Sequence, residues 1–214
     1  MKCGWNKKGL VLVILLTAFC LGSCGTSPDS PYKYWLGGKT VDVDGTVSDF
    51  PAIFPELYLK NGWDGETLLY MPKTKTLSTG SGSQPYCRMH VQVEEGAASY
   101  DDAAVEYFMM IGGAPGNMEV WGVTFGMPFE EADQMVRSRT ENWTPPVNIR
   151  ALEVKELEDA DSSPGCGYTL MQGLREAGVP EEELEVVDYQ LGKMSFTVAY
   201  RNGEVYGMLI YRYR

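Results

Sequence analysis

Few side chains in this chain are of a type that does chemistry at neutral pH, and spacing settles most of the cases. His90 is the only histidine. A zinc centre needs several ligands converging on one point, and Cys87, three positions back along an extended run, projects from the opposite face. The same count leaves a serine nucleophile no histidine base except His90 itself. On the polar side of a strand, His90 reads as a surface residue. Ser30-Pro-Tyr-Lys33 has the S-x-x-K spacing of a serine with its lysine base, but Pro31 breaks the helix that such a pair requires. Gly38-Lys39-Thr40 looks like the end of a phosphate-binding loop, yet Lys33 stands where that loop needs its first glycine. Asp42-Val-Asp44-Gly45 begins like a calcium loop and lacks the glutamate at its twelfth position. The acidic neighbours Glu94-Glu95, Asp101-Asp102 and Glu181-Glu182-Glu183 supply carboxylates. Glycoside chemistry needs two of them to converge across a cleft, which adjacency in sequence does not provide. The expectation is therefore no catalytic residue, no metal and no cofactor. The alternative is a cell-wall-acting hydrolase that uses acidic residues.

The five cysteines divide by position. Lys2, Lys7 and Lys8 precede Leu10 to Leu21, about a dozen mostly apolar residues, short of the roughly 20 that span a bilayer as a helix. Small residues follow, and then Cys24. This order of basic, apolar and small residues is that of an export signal with its cleavage site. Leu21-Gly22-Ser23-Cys24 resembles the lipobox of bacterial lipoproteins. The resemblance implies removal of residues 1–23, with Cys3 and Cys20 among them, and diacylglycerol on the Cys24 thiol. Further acylation, as by palmitate, gives the several chains that hold a protein stably on a membrane. It places the mature chain on the extracytoplasmic face, at the cell surface or in the periplasm. Residues 24–40 are then the lipidated cysteine and a flexible tether that includes Thr26-Ser-Pro-Asp-Ser-Pro31. Cys87 and Cys166 remain. In an oxidising compartment these two thiols either pair or stay separate.

Loss of the leader removes three lysines from the 18 basic side chains and none of the 29 acidic ones. So acidic a surface repels nucleic acid, which excludes that class of partner. About 190 residues are left, enough for one domain with a real core. At 44% hydrophobic and 12% aromatic the chain folds. Residues 41–214 are expected to form that domain, with 41–117 and 118–214 as two candidate lobes.

Any functional residue must be positioned by elements that the hydrophobic pattern reveals. Tyr86 to Glu94 alternates, with Cys87, Met89, Val91 and Val93 on one face and Arg88, His90, Gln92 and Glu94 on the other, as in a half-buried strand. Thr67 to Met71, Val105 to Ile111 and Met118 to Phe125 read as further strands. Pro128, Glu130 and Glu131 open a helix that ends at Arg137 and Arg139. Tyr168 to Ala177 reads as a second helix capped by Gly178. Leu184 to Leu191, Met194 to Arg201 and Glu204 to Arg212 close the chain as three strands, the last two joined by Asn202-Gly203, a hairpin signal. Leu152 to Asp161 is acidic and ambiguous. The sum is an α+β fold, an antiparallel sheet with two helices packed on one face.

Val120-Trp-Gly-Val-Thr-Phe-Gly-Met-Pro-Phe-Glu-Glu-Ala, followed by the closing hairpin, resembles the small lipoproteins of the SmpA/OmlA type and the β-lactamase-inhibitor-protein-like domains. Gly122, Gly126, Met127, Glu130 and Glu131 match the approach to the helix, and Asn202, Gly203 and Val205 match the hairpin. The resemblance covers residues 118–212 and implies a binding or envelope-assembly protein. Aromatic residues crowd the closing hairpin, and Tyr and Met are favoured at interfaces. Trp121, Tyr206, Met208 and Tyr211 are accordingly the candidate anchors of a protein-binding face. Besides the hydrolase, a sensory or inhibitor-like domain is the other alternative.

Overall fold

In the closing meander, every strand boundary coincides with a change in hydrophobic pattern. Strands β10 (Leu184–Leu191), β11 (Met194–Arg201) and β12 (Glu204–Arg212) occupy the predicted spans. Asn202 and Gly203 both take positive φ, at 53° and 77°, the pair of values that a type I′ turn requires and that matches strand twist. The computed structural model describes residues 30–50, 57–61, 67–72, 86–92, 101–152, 166–180 and 184–213, the second and third of these as backbone. Cys24, residues 1–23 expected as a leader, and the acidic neighbours 94–95 and 181–183 lie outside the described residues.

The meander continues into one eight-stranded antiparallel sheet, ordered β3-β4-β5-β6-β12-β11-β10-β9. Its other members are β3 (Leu57–Asn61), β4 (Thr67–Pro72), β5 (Tyr86–Gln92), β6 (Ala104–Ile111) and β9 (Asn148–Leu152). A smaller four-stranded sheet runs β2-β1-β7-β8. It comprises β1 (Lys33–Leu36), β2 (Lys39–Asp42), β7 (Met118–Val120) and β8 (Val123–Thr124). The helices are α1 (Phe129–Thr140) and α2 (Cys166–Glu176). The chain is α+β on antiparallel sheets.

Four expectations change. Residues 33–40, expected as tether, supply β1 and the start of β2, because Tyr34 and Leu36 are buried and Val41 pairs opposite Tyr34. The halves 41–117 and 118–214 are not separate lobes: β6 pairs with β12, so the large sheet draws on both halves, and β1 sits between β7 and β2, whose last residues Val41 and Asp42 belong to the first half. Met118 to Phe125 is a tight hairpin rather than one strand, turning at Trp121 and Gly122 with φ of 53° and 90°. Trp121 is a bulky residue in a conformation normally left to Gly or Asn, so tertiary contacts must hold it there. Finally, the two helices do not share a face. Ala132 and Val136 of α1 join one core with the small sheet, Met89, Phe108, Phe196 and Met208. Leu170, Met171 and Leu174 of α2 join the other, with Met109, Ile111, Ala199 and Leu209. The large sheet is the middle of three layers, and both its faces are apolar along β11 and β12.

The two motif segments lie against each other. Gly126 N–H donates to Val205 O (2.9 Å), Val205 N–H to Met127 O (2.9 Å) and Phe129 N–H to Gly203 O (2.8 Å). The approach to α1 is thus tied to the tip of the closing hairpin.

Candidate functional site

Two β-bulges decide what the large sheet presents to α2. On β6 His90 pairs with Tyr107 and Val91 with Val105, leaving Glu106 as the extra residue. On β12 Ala199 pairs with Gly207 and Tyr200 with Val205, leaving Tyr206 extra. A bulge re-aims a side chain that strict alternation sends to the other face. Glu106 consequently reaches His90 and Tyr211, both on the α2 side.

A row of aromatic groups follows across three adjacent strands. His90 stacks on Tyr107 (5.2 Å between centroids, 21°) and Tyr107 on Tyr211 (6.2 Å, 15°). Tyr213 continues the row at 5.3 Å. His90 Nδ1 lies 2.6 Å from Glu106 Oε2, and Tyr211 Oη donates to Glu106 Oε1 at 3.2 Å. A carboxylate only accepts, so Nδ1 carries the proton of that contact. The His90 and Glu106 side chains are 20% and 25% exposed, and Tyr211 and Tyr213 are half-buried. The row is therefore accessible along its rim while its members brace one another.

Beside it, α2 ends over a second polar group. Tyr86 Oη donates to Glu176 Oε2 (2.8 Å) and Arg88 Nη2 to Glu176 Oε1 (3.5 Å). Arg88 was expected on an open strand face, but its side chain is only 8% exposed and its Nε is buried with no hydrogen-bond partner among the described residues. At the other end of α2, Cys166 Sγ lies 3.0 Å from Tyr213 Oη. Asp188 accepts hydrogen bonds from Ser195 Oγ and from Thr197 Oγ1, the latter at 2.9 Å.

Burial sets the proton affinities here. It pushes Tyr107 and Tyr211 up to about 12, with Glu106 adding to the effect on Tyr211. It raises Tyr86 and Tyr213 as well. It pushes the Cys166 thiol up to about 11 and lifts the Asp188 carboxyl against the hydrogen bonds from Ser195 and Thr197. At neutral pH the phenols and the thiol keep their protons. Cys166 is a packing group here, since nucleophilic cysteines are those whose pKa is lowered. This ledge can hold a ligand through donors and ring edges. Among the described residues no group of three His, Cys, Asp or Glu is arranged to hold a metal.

The predicted anchors separate. Met208 is fully buried on the small-sheet face. Trp121 is buried there too: its Nε1 donates to Pro31 O (2.8 Å), and its ring meets Trp143 and Phe196 edge-on. Neither can anchor a partner. Tyr206 and Tyr211 are half-buried on the α2 side, with Arg201 over the Tyr206 ring. The bulge on β12 turns Tyr206 to the α2 side, away from Met208. Cys87 and Cys166 are buried in different cores with the sheet between them, so they do not pair with each other. Asp44 of the calcium-like segment is bound by Lys193 and by Arg212 (3.1 Å). Glu106 and Glu176 were not singled out in the sequence, and Tyr213 stood out only as one of the aromatic residues that crowd the closing hairpin. An acid inside the apolar run Val105 to Ile111 was the one available signal of the bulge.

On the other side of the sheet, α1 and residues 146–149 border an open groove of about 700 Å³. Phe129, Pro146, Val147 and Ile149 line it, with Glu130, Asp133, Arg137 and Glu141 at its margin. The chain matches no established protein family, no curated protein and no solved structure.

Proposed function

We propose that the chain is a lipid-anchored, extracytoplasmic lipoprotein whose folded domain binds another protein, as an envelope-assembly module does, rather than transforming a substrate. The observation that carries the binding reading is the braced row of His90, Tyr107, Tyr211 and Tyr213. Tyrosines fixed by stacking lose little side-chain freedom when a partner packs on them, and they combine an apolar ring with a donor at its edge. Protonated phenols and a protonated thiol suit recognition. The anchor rests on the lipobox at Cys24. The membership in the SmpA/OmlA and inhibitor-like group is supported by the contact between Gly126-Met127 and Val205, since the two matched segments act as one structural unit. No helix among the described residues is long and apolar enough to cross a membrane.

The test is crosslinking and capture of the C-terminally tagged chain from native membranes, with Cys24→Ala and Tyr211→Ala in parallel. Fatty-acid labelling lost in Cys24→Ala, together with one stoichiometric partner lost in Tyr211→Ala, supports the reading. Unchanged membrane attachment of Cys24→Ala rules out the anchor. A capture profile unaffected by Tyr211→Ala rules out the aromatic row.

A further inference from the structure

The eight-stranded sheet ends at β9, which among the described residues pairs on one side only, with β10. Edge strands carry a row of backbone donors and acceptors that proteins usually blunt or cover. Here Asn148, Arg150 and Ala151 are exposed, and only Arg150 is a blunting residue. Ile149 turns the other way, toward the core that contains α1, and into the groove lined by Phe129, Pro146 and Val147. A strand added beside β9 would lie roughly 4.8 Å further out, with alternate side chains on the groove side.

We propose that this edge is a strand-addition site. An extended, basic segment of a partner protein pairs with Asn148–Leu152 as a ninth strand and seats one aliphatic side chain in the groove. Main-chain pairing supplies affinity in this mode and side-chain pockets supply selectivity. Charge selects the occupant. Glu130 and Glu141 are exposed at the groove, whereas Arg137 is held by Asp133 at 2.6 Å. The whole chain carries a formal charge of −11, which opposes a second copy as the ninth strand. The site is independent of the aromatic row on the opposite face.

The probe is the dye-labelled peptide Thr-Lys-Thr-Leu-Thr-Lys-Thr, whose groove-side positions read Lys, Leu, Lys. Its anisotropy is followed on the full-length chain in detergent micelles, alongside amide hydrogen exchange. The expected result is saturable binding with slowed exchange at 148–152. Substituting both lysines of the peptide with glutamate, or reversing Glu130→Lys and Glu141→Lys together, should weaken binding by about tenfold, as two exposed charge pairs allow. A peptide with alternate backbone nitrogens methylated should not bind. Equal binding of the methylated peptide overturns strand addition, and equal binding of the glutamate peptide overturns the basic partner. Slowed exchange at 148–152 that grows with protein concentration and needs no peptide overturns the proposal in favour of a second copy.

Discussion

Toward the small sheet, the large sheet presents Val187, Tyr189, Phe196, Val198 and Met208, closed over by β1, β7 and α1. Toward α2 it presents a narrower apolar strip, Met109, Ile111, Ala199 and Leu209, flanked by Arg88, His90, Glu106, Asp188, Ser195 and Thr197. One face is nearly all packing. The other combines packing with a polar network that is only partly closed. A face that only holds the fold keeps its polar groups few and hydrogen-bonded, whereas one that meets a partner needs donors and rings at its margin.

The difference can be broken most sharply at Phe196, which is fully buried and packed on Trp121 and Tyr189. Phe196→Ala should cost about 3–5 kcal/mol. For a domain of this size that is a fall in Tm of about 10 °C by differential scanning calorimetry. Next comes the Arg88–Glu176 pair. Glu176→Ala leaves a buried guanidinium without its carboxylate and should cost about 1–3 kcal/mol. Arg88→Met removes the cation itself and should cost less. Urea midpoints measured for both decide between them, and the reverse order would show that Arg88 is stabilised by something other than Glu176.

Asp188 gives a smaller, pH-dependent effect. Its folded pKa is raised by burial, so the native state holds a proton that the unfolded state releases. Its contribution is therefore fully present below the unfolded value, near 3.9, and declines as pH rises through the raised folded value. Asp188→Asn keeps an acceptor for Ser195 and Thr197 and removes that decline. Urea midpoints of the variant and the parent should converge at low pH, with the variant gaining toward neutrality. A constant offset across pH would count against it.

The smallest effect belongs to Gly207, which lies under α2. A Cβ there meets Ala199, Leu170 and Leu174 at 3.5–3.6 Å, ordinary contact. Gly207→Ala should change stability by less than about 0.5 kcal/mol, as calorimetry would show. A large loss would mean that α2 cannot give way at all.

Legibility in the sequence follows the range of the interactions. The closing meander was readable residue by residue because alternation and Asn202-Gly203 are local. Strand β9 was not, being short, exposed on three of its five residues and placed only by pairing with β10. Tyr206, Met208 and Tyr211 on the closing hairpin and Trp121 in the approach to α1 looked alike as aromatic or soft side chains. Their separation into buried and half-buried groups depended on which layer covered each face. Glu106 was invisible as a site residue because a bulge is a mismatch between two strands, and one strand alone does not contain it.

The sequence by itself determined the acidity, the antiparallel α+β class and the closing hairpin, all consequences of composition or of contacts between near neighbours. Tertiary structure alone decided that the helices lie on opposite faces, that Cys87 and Cys166 are separated, that Trp121 is a core residue and that His90 meets Glu106. Each of these depends on register between strands far apart in the chain, and a one-residue shift in register moves a side chain to the other side of the sheet.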